Sequence, residues 1–313
     1  MHDDDHDHGH GHSHGRAGHH HRTPSELGRA FGLGIALNVA FVIAESVAGV
    51  RGGSTALLAD AAHNLSDVLG LAMAWGATVL ARRKRTARRT YGLRRTTILA
   101  GLANAMLVLV AVGGVAWEGA RRIGTPVPVE GGLVAAMAGV GVVINGGAAL
   151  LFARGRERDV NLRGAYLHLM ADAAVSAGVV VAGLVVWRTG WDWLDPATSI
   201  VVSLVILVGT LGLLRDALDL LLDAVPAHID PLAVEGYLAE LSNVQAVHDL
   251  HIWSMSTTEV ALTVHLVAPW ERCTPTFLRD IESDLEHRFG IAHTTIQVEP
   301  IDDAGCRQSG DAP

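Results

Sequence analysis

His63-Asn64-Leu65-Ser66-Asp67 and His168-Leu169-Met170-Ala171-Asp172 repeat one spacing, His-x-x-x-Asp, in two apolar stretches. A separation of four residues is about one helical turn, so each pair presents both side chains on one side of a helix. Ionisable side chains inside a stretch long enough to span a bilayer are costly, and they usually line a pathway or a site. Two imidazoles and two carboxylates are a donor set suited to tetrahedral zinc. A single intramembrane histidine is more often a hydrogen bond between helices; two identical pairs at matched depth favour metal. Zinc requires neutral imidazole and ionised carboxylate, so its binding expels protons. Protons returning to the site compete the metal off, and histidine, with an unperturbed pKa of about 6.5, titrates in the useful range. A site that exchanges a divalent cation for protons while opening alternately to each face is an antiporter. A proton relay without metal would use the same residue types. An intramembrane metalloenzyme would need an open metal position and a general base, as in His-Glu-x-x-His. The sequence contains no such motif, and the expectation is a secondary transporter with no organic cofactor and no nucleic-acid partner.

Composition points the same way. Of 313 residues 50% are hydrophobic and only 18% charged, with a mean hydropathy of +0.31. That balance belongs to membrane proteins rather than to soluble domains. Glycine is abundant, at 35 residues, which suits close helix packing in lipid. The two cysteines, Cys273 and Cys306, offer neither a disulfide framework nor a Cys-x-x-Cys zinc site, and they read as free thiols. No apolar leader is visible at the N-terminus.

Six apolar runs, Leu27–Val50, Thr55–Leu80, Thr96–Trp117, Gly131–Ala153, Gly164–Trp187 and Leu194–Leu214, each have about the 20 residues a spanning helix needs. Basic residues orient them. Arg82, Arg83, Lys84, Arg85, Arg88, Arg89, Arg94 and Arg95 follow the second run, and Arg154, Arg156, Arg158 and Arg163 follow the fourth. The other side holds Arg51, Arg121, Arg122 and Arg188. By the positive-inside rule the richer intervals and both termini are cytoplasmic. The second and fifth helices are then antiparallel, with His63 level with Asp172 and Asp67 level with His168. Glu45, near the outer end of the first run, can snorkel to water or serve a proton path, and Asp60 lies near the outer mouth. Asn38, Asn104 and Asn145 read as interhelical hydrogen-bonding groups.

Residues 1–22, rich in His and Asp, form a low-complexity cytoplasmic tail expected to be disordered and able to collect metal. Residues 23–222 are the six-helix transmembrane domain, 223–302 a cytoplasmic domain, and 303–313 a polar tail. Within the cytoplasmic domain, Ile229–Leu241 and Thr276–Phe289 have helical periodicity, whereas Val244–Trp253, Glu259–Val267 and Thr294–Val298 read as strands. The order αββαβ predicts a small ferredoxin-like α+β domain.

With these features in place, the chain resembles the cation diffusion facilitators, within them the bacterial cobalt–zinc–cadmium efflux (zinc transporter) branch. The segment from Gly53-Ser54-Thr55 through Asp60-Ala61-Ala62-His63 to Asp67 resembles the family's second-helix signature. Tyr91-Gly92-Leu93-Arg94-Arg95, Arg163-Gly164-Ala165-Tyr166-Leu167-His168 through Asp172, Asp195-Pro196, Leu221-Leu222-Asp223-Ala224-Val225-Pro226 and Val247-His248-Asp249-Leu250-His251-Ile252-Trp253 resemble later segments in the same order. The resemblance implies a homodimeric, proton-coupled exporter of zinc, with cadmium or cobalt as further substrates, in a bacterial-type inner membrane. It implies that His63, Asp67, His168 and Asp172 are the transport site, and that Asp in place of the first His would relax selectivity. It also sets His248, His265, Gln297 and Glu299 where some relatives bind zinc at a dimer interface; of these His248, His265 and Glu299 are the candidate ligands, because Gln297 stands where a His is common. The Arg-rich interval after the second run lacks the Asp and His of a second metal site found in some relatives. Thr97 stands where many members carry Glu.

Overall fold

The structure, a computed structural model, describes residues 24–153, 160–269 and 274–300. The N-terminal tail, Arg154, Arg156, Arg158, both cysteines and the C-terminal tail lie outside the described residues. Six long helices come first: α1 Pro24–Arg51, α2 Thr55–Ala81, α3 Thr96–Gly124, α4 Gly131–Phe152, α5 Val160–Thr189 and α6 Leu194–Leu221. A small unit follows: α7 Pro231–Ala239, β1 Ala246–Ser254, β2 Val260–Val267, α8 Pro275–Phe289 and β3 Ile291–Glu299.

Among the described residues, five helices, α2 to α6, are long and apolar enough to cross a membrane. Helix α1 has the length but opens on the polar stretch Pro24-Ser25-Glu26-Leu27-Gly28-Arg29. The outward faces are apolar: Trp75, Val110, Trp117, Val143 and Leu151 are 66%, 72%, 70%, 73% and 82% exposed. In water such faces would be an aggregation surface; against acyl chains they are the expected exterior. Several helices overrun their apolar runs. Helix α3 continues past Arg121 and Arg122, and α6 past Arg215 and Asp219, because backbone bonding continues once side chains reach a polar zone. Glu118 pairs with both arginines of α3, at 3.2 Å and 2.9 Å.

Interhelical contacts rest on small residues. A Cβ on Gly131 would meet the Gly183 carbonyl oxygen at 2.5 Å, and one on Gly183 would meet Ala135 N at 2.8 Å. Helices α4 and α5 thus approach backbone to backbone, as small residues permit. The interior includes Leu57, Val108, Val112, Val134, Val179, Val202 and Ile206, drawn from five helices.

Helix α2 begins at a built cap. Ser54, extended at φ −90°, accepts from Leu57 N at 3.0 Å. Its hydroxyl donates to the buried Asp195 carboxylate of α6. The same carboxylate accepts Thr55 N at 2.6 Å, Thr55 Oγ1 at 2.9 Å and Ala56 N at 3.4 Å. Donors at a helix start carry partial positive charge and lack intrahelical partners, so a buried carboxylate is stable there. Arg122 Nη1 donates to Gly53 O at 2.8 Å, and Glu130 N to Gly52 O at 2.9 Å, bringing α3 and α4 to the same corner.

The C-terminal unit has a three-stranded mixed sheet in the order β1-β2-β3, β1 antiparallel and β2 parallel to β3 through the α8 crossover. Asp230 caps α7 ahead of Pro231, Thr274 caps α8, and Gly290 at φ +73° ends α8 in the left-handed conformation. Its core comprises Val234, Leu238, Leu262, Val264, Leu266, Ile281, Leu285 and Ile291. The last strand is longer than Thr294–Val298, starting at the buried Ile291. Parallel pairing of the whole segment with β2 recruits the flanking residues.

Replacing Asp195 with Ala strands several donors in an apolar setting. The expected loss is about 2 kcal/mol or more, seen as a lowered thermal midpoint in detergent, with a smaller drop for Asp195→Asn. An unchanged midpoint for Asp195→Ala would show that the cap does not hold α2.

Candidate metal centre

Helices α2 and α5 run antiparallel through the bundle and bring all four residues of the repeated motif together. His63 Nε2 lies 3.0 Å from Asp172 Oδ1 and 3.8 Å from Asp67 Oδ2. His168 Nε2 lies 3.6 Å from Asp67 Oδ2 and 3.6 Å from Asp172 Oδ2. The two imidazoles occupy a diagonal, with ring centroids 6.3 Å apart. Metal bonds of about 2.0–2.1 Å in a tetrahedron give edges of about 3.4 Å. Four His–Asp separations of 3.0–3.8 Å are near that edge; one ligand atom each from His63, Asp67 and Asp172 lies within 4.8 Å of the others, while His168 stands beside this trio, facing the second oxygen of Asp172.

Exposure is graded across the site. Asp172 and His63 are 7% and 17% exposed, whereas Asp67 and His168 are 38% and 54%. The exposed pair is toward the α2 C-terminus and the α5 N-terminus. A cavity of about 350 Å³ meets the four side chains there and continues between α3 and α6 past Asn104 and Thr210. Its lining is mixed, with Ser66, Asn104 and Thr210 beside Val108, Val175, Val205, Ile206 and Leu213.

Beyond the motif the structure adds a polar layer. Glu45 is fully buried and accepts from Asn64 Nδ2 at 3.0 Å. It turns inward to α2 instead of snorkelling, because a donor beside His63 is closer than water. Asp60, one turn before the site, is 1% exposed and accepts from Ser176 Oγ of α5 at 2.8 Å. It is thus enclosed between helices rather than open at a mouth. Asn64 was detectable as a polar residue next to a site histidine; Ser176 carried no sequence signal. Asn104 and Asn145 form no hydrogen bond to another described residue, and Asn38 is exposed. Asn104 faces the cavity, where a second helix offers it no partner.

A second cluster lies in the C-terminal sheet. His248 of β1 pairs across the ladder with His265 of β2, which pairs with Gln297 of β3. Glu299 reaches both histidines, at 3.0 Å from His248 Nε2 and 3.0 Å from His265 Nδ1. Ligand atoms of His248, His265 and Glu299 all lie within 4.8 Å of one another. Gln297 turns to donate to Glu299 Oε1 at 3.0 Å, orienting that carboxylate. Asp249 joins the group at a register shift in β1, where its backbone has φ +52°. Its carboxylate lies 3.6 Å from His265 and 3.0 Å from His251. His287 and His293 lie apart, His287 bonding Ser283 on α8 and His293 stacking edge-on to Tyr91.

Comparison with known proteins agrees with both halves. Residues 33–222 match the cation efflux transmembrane domain, and residues 226–301 match the cation efflux protein cytoplasmic domain. The chain belongs to the cation efflux, or cation diffusion facilitator, family. It is 34% identical over 296 residues to the metal cation efflux system protein CzcD of Cupriavidus metallidurans, covering 93% of each chain. It is 36% identical over 262 residues to the zinc transporter ZitB of Escherichia coli, covering 83% of each. It is 34% identical over 265 residues to a cadmium, cobalt and zinc/H(+)-K(+) antiporter of Bacillus subtilis, covering 83% of this chain and 85% of that one. These relatives place the chain in the family's cobalt–zinc–cadmium branch.

Asp and Gly tolerate positive φ better than Ala. Asp249→Ala is therefore expected to destabilise the C-terminal sheet by about 1 kcal/mol, and Asp249→Gly to leave it nearly unchanged. Denaturant unfolding followed by tryptophan fluorescence reads the difference; equal midpoints for the two variants would remove the backbone explanation for this aspartate.

Proposed function

We propose that the chain is a proton-coupled antiporter that exports zinc from the cytoplasm through His63, Asp67, His168 and Asp172, with cadmium and cobalt as further substrates. The observation that carries this reading is the convergence of His63, Asp67 and Asp172, with ligand atoms within 4.8 Å of one another and His168 Nε2 3.6 Å from both carboxylates, inside an apolar bundle. Relatives named for zinc transport and for cadmium, cobalt and zinc/H(+)-K(+) antiport are in accord with the substrate and the exchange.

The chemistry follows from the donors. Loading an ion from the exposed Asp67–His168 end displaces protons from imidazole, and the two carboxylates neutralise the charge of a divalent cation. Protons arriving from the opposite face occupy the histidines and weaken the set. Release then follows competition rather than a covalent step. Helix α1 is the sixth span, which puts both termini on the Arg-rich, cytoplasmic side of an inner or cell membrane. The exposed end of the site faces that side, so the arrangement here is the metal-loading one.

The domain boundaries follow: residues 23–222 form the transport unit and 223–302 a ferredoxin-like cytoplasmic unit through which two copies assemble into a homodimer. In that unit His248, His265 and Glu299 hold a second metal ion, oriented by Gln297. The His-rich residues 1–22 gather metal near the cytoplasmic mouth.

In proteoliposomes, an inward zinc gradient should drive proton movement in the wild type and none in Asp67→Ala, whose folding is checked by circular dichroism. Intact zinc binding without proton flux in the wild type would sink antiport, and normal metal resistance in cells carrying Asp67→Ala would sink the site. Isothermal titration with zinc, cadmium, cobalt and iron should show a preference that narrows in His63→Asp. Exchange of a borderline imidazole donor for a hard carboxylate favours harder ions, and an unchanged rank order would contradict the role given to His63.

A further inference from the structure

Between the transmembrane helices and the C-terminal sheet lies a cavity of about 540 Å³, within the ~300–1,000 Å³ span of small-ligand sites. Arg82, Arg83, Lys84, Arg85 and Arg94 line it on one side, and Ser256, Thr257, Thr258 and Glu259 on the other. Five cations face a single carboxylate, and Glu259 is already engaged with Arg94 at 2.6 Å. Arg82, Arg83, Lys84 and Arg85 form no ion pair with any described residue.

The surroundings are ordered by hydrogen bonds. Thr86 and Arg89 exchange backbone bonds of 3.2 Å and 3.0 Å, and Gly92, at φ +77°, donates to Arg89 O at 2.9 Å. The opposite wall is tied to α3, where Thr257 N donates to Thr97 Oγ1 at 3.1 Å. A cradle of unpaired cations on a turn held at both ends is suited to an anion with several oxygens, and phosphate is the common one. Position then selects its source. Arg82 directly follows the last residue of α2, whose apolar face carries Trp75 at 66% exposure. The cavity therefore opens at the rim of the apolar belt, the level of phospholipid headgroups, where a cluster of four or more basic residues after a spanning helix attracts anionic lipid.

We propose that this cavity binds a phosphate group, supplied by the headgroup of an anionic phospholipid, between the α2–α3 turn and the C-terminal domain. Such a ligand would bridge the two parts of the molecule at the seam already closed by Arg94–Glu259, Arg95–Asp223 and Thr97–Thr257.

The test is native mass spectrometry of the full-length protein in detergent with phosphatidylglycerol or phosphatidylcholine added. Phosphatidylglycerol should be retained about tenfold more tightly, and each cavity charge removed in Arg82→Gln/Lys84→Gln should cost about fivefold. Arg88→Gln/Arg89→Gln removes equal charge from the same turn outside the cavity lining and should leave retention nearly unchanged. Inorganic phosphate binding without lipid, lost in Arg82→Gln/Lys84→Gln, would retain the phosphate site and reassign its source to solution. Equal retention of the two lipids with no phosphate binding, or equal losses in the two double variants, would overturn the proposal.

Discussion

The carboxylate of Asp195 holds together the corner where α2 starts against α6. It is buried, and it takes bonds from Ser54, Thr55 and Ala56 at the start of α2. In an apolar medium those donors have no water to turn to, and each would otherwise carry a desolvation cost. A charge that would be unfavourable alone is thus stabilised by the helix start that it completes. About two and three turns further along α2 come His63 and Asp67, so the position of the site is set from this cap.

The partner helix is positioned less directly. Direct packing of α5 on α2 is slight compared with that of α5 on α4. Helix α4 is registered against the turn before α2 by the bond from Glu130 N to Gly52 O. Helix α5 is in turn registered against α4 by the close approach at Gly131 and Gly183. Through these two contacts His168 and Asp172 reach the depth of Asp67 and His63. The Ser176–Asp60 bond, one turn deeper on α5, adds a direct tie. The His and Asp side chains of the two helices then meet at opposed levels, His63 against Asp172 and His168 against Asp67.

The C-terminal domain is joined to the same framework by charge. Arg94 and Arg95 reach Glu259 and Asp223, and Thr97 accepts from Thr257. Thr97 therefore works as a junction residue: its hydroxyl accepts from the Thr257 amide while donating to Arg94 O at 3.0 Å. The start of α3 and the C-terminal domain therefore share one seam, made by Arg94, Arg95 and Thr97.

The element order and the His and Asp content of the candidate metal centre were legible in the sequence, because apolar runs near bilayer length and a His-x-x-x-Asp repeat have few other physical readings. Helix ends were less legible: α3 and α6 run beyond their apolar segments, since hydrogen bonding along a helix does not stop at the first charge. The αββαβ order was also readable, whereas the full length of β3 was not, because its ends are recruited by pairing with β2. By itself the sequence determined which donors exist, on which helices, and in what order along each. Only the tertiary structure decided their distances, the inward turn of Glu45, the enclosure of Asp60 by Ser176, and the joining of Asp249 to the histidines of the sheet. Those depend on contacts between separate helices, from 19 positions apart for Glu45 and Asn64 to 116 for Asp60 and Ser176, or on a local register shift, and neither leaves a periodic trace in the chain.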